Sequence, residues 1–142
     1  MVEDYQLREC LCNVVNINLS DEQWTQASLP VRKGGLGIRQ VSQLAPSAFL
    51  ASTHSTSELQ NEILKSCQIT PDHSLEKAVS IWSLNHSCTP PADEAAAIQR
   101  NWDSPVVDAC YSKLLNEQTN AINRARFLAV SARKSSDWLH AF

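Results

Sequence analysis

Glycine is almost absent from this sequence of 142 residues. Its only three glycines, Gly34, Gly35 and Gly37, fall within four consecutive positions. A dinucleotide-binding loop is excluded, because nothing downstream supplies the third glycine of the Gly-x-Gly-x-x-Gly pattern. Glycine reaches positive φ without a steric penalty, so this segment is predicted to form a tight, exposed, hairpin-like turn. The turn presents three basic side chains, Arg32, Lys33 and Arg39.

Long hydrophobic runs are absent as well. The uncharged apolar runs fall well short of the roughly 20 residues that span a bilayer, so no membrane partner is expected. Residues 1–5 lack the basic and then apolar layout of a secretion signal, which predicts an intracellular protein of the nucleus or cytoplasm. With 43% hydrophobic residues, residues 1–142 have enough apolar side chains for a single helical domain with one core.

The cysteines exclude a disulfide framework, because they are odd in number and irregularly spaced. Reduced and mostly buried thiols are predicted instead. Zinc-ligating residue types occur at Cys67, His73, His86 and Cys88, but their spacing matches no usual structural zinc pattern. No metal and no cofactor are therefore expected. The five cysteines are Cys10, Cys12, Cys67, Cys88 and Cys110.

Signatures of catalysis are lacking. A polymerase or nuclease needs clustered carboxylates that hold two divalent metals, and the sequence contains no Asp-Asp pair. No serine or cysteine lies in a nucleophile elbow. We expect no catalytic residues and no enzyme activity from this chain. Adjacent acids are predicted in the first turns of helices, where the macrodipole favours negative charge, at Glu3-Asp4, Asp21-Glu22 and Asp93-Glu94.

The net charge of -3 conceals a segmental pattern. Residues 1–22 and 58–117 are acidic, whereas residues 23–57 have three basic and no acidic side chains and residues 118–142 have four basic side chains against one acid. Two basic segments can therefore face a polyanion while the remaining surface repels it, and the alternative is that both are ordinary solvated surface. The cations of the second segment are Arg124, Arg126, Arg133 and Lys134.

Hydroxyl residues mark the predicted helix starts. A hydroxyl at the N-cap accepts a hydrogen bond from an otherwise unpaired amide, and proline at the first helical position loses no hydrogen bond. Capping boxes are predicted at Ser20 and Ser57, each followed three residues later by glutamine. Helices are also predicted to begin at Thr70-Pro71, Thr89-Pro90 and Ser104-Pro105.

Apolar residues recur at helical spacing, and no segment shows a clear period of two. Residues 105–131 are predicted to form one long helix, or two that break near Thr119-Asn120. Residues 29–31 and 36–38, which flank the glycines, are the only strand candidates. The prediction is an all-α array of six to eight helices with one short glycine hairpin near residues 29–39. Two of the helical faces are Leu7-Leu11-Val14-Val15 and Leu75-Ala78-Val79-Trp82.

The tryptophans are divided between core and surface roles. Trp82 and Trp102 lie on predicted apolar faces and are expected in the core, whereas Trp24 lies beside the basic turn and either packs inside or stacks on a base. The cations near the C-terminus lie along or just after a predicted helix. They form either an ordinary solvated face or a strip that contacts phosphates. The predicted apolar face of that helix is Ile122, Ala125, Leu128 and Ala129.

Residues 24–39, with the sequence Trp-Thr-Gln-Ala-Ser-Leu-Pro-Val-Arg-Lys-Gly-Gly-Leu-Gly-Ile-Arg, precede Leu-Ala-Pro-Ser-Ala-Phe-Leu-Ala-Ser at residues 44–52. In this order the two segments resemble the region downstream of the polymerase core in reverse transcriptases of non-LTR (LINE-type) retrotransposons. Residues 124–129 and 136–141 are similar to the stretch that such proteins carry before their C-terminal cysteine and histidine module.

The resemblance implies a non-catalytic fragment of a larger RNA-directed DNA polymerase, its thumb-end and connector region, without the palm, zinc-knuckle and endonuclease. Its implied partners are RNA or an RNA/DNA duplex and the remainder of the reverse-transcriptase polypeptide. The alternative is a helical protein-interaction or scaffold domain without a nucleic-acid role, which predicts an exposed apolar stripe. The expected nucleic-acid-binding residues are Arg32, Lys33, Gly34, Gly35, Arg39, Arg124, Arg126, Arg133 and Lys134.

Overall fold

A computed structural model describes residues 2–65 and 73–135. These ranges contain seven α-helices and two 3₁₀ turns, at Val31–Lys33 and Asp93–Ala97, and they contain no strand. The predicted all-α class with six to eight helices is confirmed. No helix in the described ranges has both the length and the apolar character needed to cross a membrane. The helices are α1 (Val2–Val15), α2 (Asp21–Ser28), α3 (Val41–Ser55), α4 (Ser57–Leu64), α5 (Ser74–His86), α6 (Gln99–Glu117) and α7 (Ala121–Val130).

The described residues group into two compact units. The first unit comprises those of Met1–Ser42 and Val107–Phe142, and the second comprises those of Gln43–Val106. The single domain expected from the composition stays a prediction. In the first unit, one cluster of buried residues joins α1 to α2 through Leu11, Trp24 and Ala27, and another consists of Leu29, Val107, Leu114 and Phe127.

The second unit has a core built around two tryptophans, as predicted. Trp82 and Trp102 are 2% and 0% exposed, and their rings meet edge to face with centroids 5.0 Å apart. The predicted apolar face of α5 is confirmed, because Leu75, Ala78 and Val79 pack against this cluster. The other buried members of the cluster are Leu50, Ala51 and Ala96.

The predicted capping box at the start of α2 is confirmed. The Ser20 hydroxyl accepts a hydrogen bond from the Gln23 amide at 3.2 Å, and Gln23 Oε1 accepts one from the Ser20 amide at 2.9 Å. The box predicted at Ser57 is wrong, because Ser57 is the first residue of α4 and its hydroxyl donates to the His54 carbonyl instead. Thr56 precedes α4 in the N-cap position.

Proline proved a weaker marker of helix starts than expected. Thr89-Pro90 lies in a segment without regular secondary structure, and the next helical turn begins only at Asp93, so that prediction is wrong. Pro105 lies inside α6, which begins six residues earlier, at Gln99. Burial of Trp102 extends α6 in the N-terminal direction, because its indole packs in the core and donates to the Ala96 carbonyl at 2.7 Å. Thr70-Pro71 lies outside the described residues.

Two further expectations, about the apolar face of α1 and about the cysteines, need correction. Leu7 and Leu11 lie on the packed face of α1, as predicted, but Val14 is 83% exposed and Val15 is 40% exposed, so the apolar face ends at Leu11. The cysteines were expected to be mostly buried, but Cys10 is exposed and Cys12, Cys88 and Cys110 are half-buried. Cys67 lies outside the described residues.

The carboxylate of Asp4, in α1, caps the N-terminus of α3. It accepts hydrogen bonds from the amides of Val41 at 2.6 Å and Ser42 at 3.3 Å, two of the amides that an α-helix leaves unpaired at its start. Partial desolvation opposes ionisation of Asp4, and the hydrogen bonds from Ser42 and the Val41 amide outweigh it. The pKa of Asp4 therefore lies below its ordinary value of 3.8.

Replacing Asp4 with alanine is expected to lower the free energy of unfolding at neutral pH by about 1 kcal/mol, because α3 loses its cap. A carboxyl whose pKa is depressed in the folded state stabilises the protein above its unfolded pKa, and this contribution disappears as the pH falls through the folded pKa. Urea unfolding of the Asp4→Ala variant and of the unchanged protein, at neutral and at acid pH, measures the difference in their free energies of unfolding. Glu3→Ala removes a neighbouring exposed carboxylate from the same turn and is expected to change stability less.

Candidate nucleic-acid interface

The glycine segment forms a compact turn that caps the end of α2, and it pairs no strands. A 3₁₀ turn at Val31–Lys33 ends at Gly34, whose φ of 80° lies in the left-handed region that favours glycine. The amides of Leu36 and Gly37 then donate to the carbonyls of Ala27 and Leu29 at 3.0 and 2.9 Å. The turn is confirmed, whereas the expected strands are replaced by these bonds, which satisfy carbonyls at the end of α2.

Lys33 is held against the protein by two interactions. Its ammonium lies 2.7 Å from Oδ1 of Asp108 and 5.0 Å from the centre of the Tyr111 ring. The Tyr111 ring stacks on Phe127, and its hydroxyl lies 3.0 Å from the hydroxyl of Ser131. Because Asp108 offsets the charge of Lys33, this residue anchors the turn and is a poorer candidate for phosphate contact than the sequence suggested.

The turn lies against the end of α7, so the two basic segments meet. A Cβ atom added to Gly34 would lie 2.8 Å from Cγ2 of Val130 and 3.2 Å from the amide nitrogen of Ser131. Arg133 and Lys134 follow Ser131 by two and three residues, in a turn closed by the Ser135 hydroxyl, which donates to the Val130 carbonyl at 2.6 Å. Both basic segments are evident in the sequence, whereas their contact is not, because it depends on tertiary packing.

Three cations of this region are exposed and have no carboxylate partner among the described residues: Arg32, Arg133 and Lys134. We call these three the basic surface. Arg39 is half-buried and lies two residues before α3. Arg124 donates from its guanidinium to the Leu115 carbonyl at 2.6 Å, a contact that links α7 to the last turns of α6.

The exposed face of α7 differs from the prediction. Ile122, Ala125, Leu128 and Ala129 were expected to be buried, but all four are exposed and Phe127 is the buried residue of this helix. The ring of Phe127 packs with Leu29, Val107 and Leu114, which sets the rotation of α7. An aromatic ring carries a large apolar surface, and here Phe127 is the residue of α7 that buries it.

A cleft with a volume of about 360 Å³ lies in the first unit between α2 and α7. Arg126 lines it, so this cation belongs to the cleft more than to the basic surface. Val130, which contacts the glycine turn, also lines the cleft, and Nε2 of Gln26 donates to the Gly34 carbonyl at 3.3 Å. The polar residues that line the cleft include Gln23, Gln26, Gln118 and Asn123.

The remaining candidates from the sequence have structural roles where they are described. Trp24 is buried beside Leu11 and Ala27, so its ring is not available to stack on a base. His73 bonds to Glu76 at 3.0 Å, and His86 packs against Trp82, where burial lowers the pKa of His86. Within residues 2–65 and 73–135, no three His, Cys, Asp or Glu side chains converge in a group that could hold a metal ion.

The adjacent acids lie in the first turns of helical segments, as predicted. Glu3-Asp4 lies in the first turn of α1, Asp21-Glu22 begins α2, and Asp93-Glu94 begins the 3₁₀ turn of the second unit. Comparison with protein-family models, curated proteins and solved structures gives no match for this chain.

Proposed function

We propose that the basic surface contacts the phosphate backbone of RNA or of an RNA/DNA duplex and that the chain carries out no chemistry on it. The contact of Gly34 with Val130 and Ser131 is the observation that supports this most directly, because it joins two basic segments that are distant in the sequence. Cations near one another attract a polyanion together, since each phosphate contact releases counterions.

The distribution of charge over the chain favours binding of a polyanion at the basic surface. Lys33 is neutralised by Asp108, but Arg32, Arg133 and Lys134 have no such acid among the described residues. The net charge of -3 opposes non-specific binding elsewhere. The resemblance to the post-palm region of LINE-type reverse transcriptases agrees with this proposal, and it suggests the remainder of such a polypeptide as a second partner.

A charge-removal experiment tests the proposal. The triple variant Arg32→Gln/Arg133→Gln/Lys134→Gln is expected to bind an RNA/DNA duplex at least about tenfold more weakly at low salt, because three phosphate contacts are lost. The slope of log affinity against log salt concentration is expected to become shallower by about 2 to 3. Fluorescence anisotropy of a labelled duplex at several salt concentrations measures both quantities.

The matched control removes the same number of charges from exposed positions in the second unit, with Lys65→Gln/Lys77→Gln/Arg100→Gln. This control is expected to retain nearly the affinity and the salt slope of the unchanged protein. Equal losses in the two triple variants would mean that net charge alone governs binding, and the proposed surface would then be wrong.

A second candidate function is protein interaction, and α4 favours it. This helix has no buried residue, and Leu59, Ile63 and Leu64 are exposed. Exposed apolar side chains on one helix are the feature that a scaffold domain would use to hold a partner. Sedimentation velocity at several concentrations discriminates the two: self-association that α4 substitutions remove supports the scaffold, and a monomer throughout gives it no support.

A further inference from the structure

The cleft between α2 and α7 is suited to a polar ligand without net charge. Arg126 and Glu22 both line it, so its two ionised side chains have opposite signs. A phosphate would be attracted by Arg126 and repelled by Glu22, and it can accept but not donate hydrogen bonds when fully ionised. The volume of about 360 Å³ lies within the range of small-molecule sites.

The glutamines of α2 give the cleft a defined hydrogen-bonding character. Gln23 Oε1 is occupied by the Ser20 amide, which leaves the amide nitrogen of Gln23 as a donor. Gln26 Nε2 donates one of its two hydrogens to the Gly34 carbonyl, and the carbonyl oxygen of Gln26 remains as an acceptor. The cleft therefore offers at least one donor and one acceptor, and the edge of a nucleobase presents groups of both kinds.

We infer that this cleft receives one unpaired nucleobase of the strand whose phosphates contact the basic surface. The inference rests on the proposed function. It follows from the geometry that joins the two sites: Val130 lines the cleft and contacts Gly34, and Gln26 bonds to the same glycine. A strand whose phosphates contact the turn therefore passes beside the cleft. Gln118 and Asn123 add two carboxamides that can both donate and accept.

The test uses the full chain and two labelled RNA/DNA duplexes that carry the same number of phosphates. One has a short unpaired RNA overhang, and the other has an abasic overhang of equal length. The duplex with bases is expected to bind about fivefold more tightly at the same salt concentration, which corresponds to about one added hydrogen bond. The double variant Gln118→Leu/Asn123→Leu keeps the charge and is expected to lose this preference without a change in salt slope.

A second measurement uses the unchanged protein and therefore does not depend on whether the double variant folds. In the unchanged protein, the side-chain amide NMR signals of Gln118 and Asn123 are expected to shift with the base-bearing overhang and not with the abasic one. If both duplexes bind equally well, the cleft site is wrong while the proposed function stands. If neither duplex binds, both proposals fail. A preference that persists in the double variant, without those signal shifts, also overturns the cleft site.

Discussion

Gly35→Ala is expected to destabilise the first unit by about 3 kcal/mol or more, the largest effect of any glycine substitution in this chain. Gly35 lies directly against the end of α2. A Cβ atom at this position would overlap the carbonyl of Leu29 and lie 2.6 Å from the carbonyl oxygen of Gln26, whereas real Cβ atoms essentially never come within 3.0 Å of such neighbours. Both obstacles are backbone atoms, so no side-chain rotation relieves the overlap.

The other two glycines provide graded controls. Gly37→Ala meets only the Val31 side chain, at 3.6 Å, and is expected to cost about 1 kcal/mol because its φ is 76°. Gly34→Ala combines a φ of 80° with a contact of 2.8 Å to Val130 and is expected to fall between the two. Urea unfolding followed by far-ultraviolet circular dichroism measures all three variants. A Gly35→Ala protein as stable as Gly37→Ala would contradict this packing of the turn.

The helical class of this fold could be predicted because local signals agreed with tertiary packing. The face of α5 that ends at Trp82 has helical spacing and is also the face that packs in the second unit. The capping box at Ser20 was predictable because every group in it lies within four residues. A break near Thr119-Asn120 was one of the two alternatives for residues 105–131, and the side chain of Asn120 caps α7 by accepting from the Ile122 and Asn123 amides.

Two predictions about helices failed because a distant residue decides the local structure. The start of α6 depends on Trp102, and the rotation of α7 depends on Phe127 and the residues it meets in α6. The strand candidates beside the glycines were read from apolar residues, but Leu29 is buried against α6 and α7 instead. The tertiary partner of a buried side chain is not encoded in local spacing.

The same limit applies to the candidate site. Both basic segments could be found by counting charged residues along the sequence, because this count does not depend on the fold. The count could not show that Asp108 neutralises Lys33 or that Arg124 bonds to the Leu115 carbonyl, because these contacts depend on how α6 packs. The cleft is also a tertiary feature: its carboxamides lie on α2, on α7 and in the loop between α6 and α7, and only Gln23 belongs to a motif, the capping box of α2.

Trp102→Ala is expected to lower the free energy of unfolding of the second unit by about 3 to 5 kcal/mol. Its side chain is fully buried among Leu50, Trp82 and Ala96, so its removal takes away buried apolar surface and leaves a cavity that neighbouring helices fill only in part. The substitution also removes the indole donor from the Ala96 carbonyl. Urea unfolding of the variant and the unchanged protein measures the loss.

Two further substitutions separate the contributions of Trp102. Trp102→Phe keeps an aromatic ring against Trp82 but leaves the Ala96 carbonyl without its indole donor, and it is expected to cost about 1 to 3 kcal/mol. Leu84→Ala removes a large apolar side chain from the same unit where it is 79% exposed, and it is expected to change stability by no more than about 0.5 kcal/mol. Should Trp102→Ala and Leu84→Ala prove equally stable, the indole cannot be the centre of this core. The start of α6 at Gln99 would then need another explanation, because we attribute it to the burial of Trp102, which lies before Ser104-Pro105.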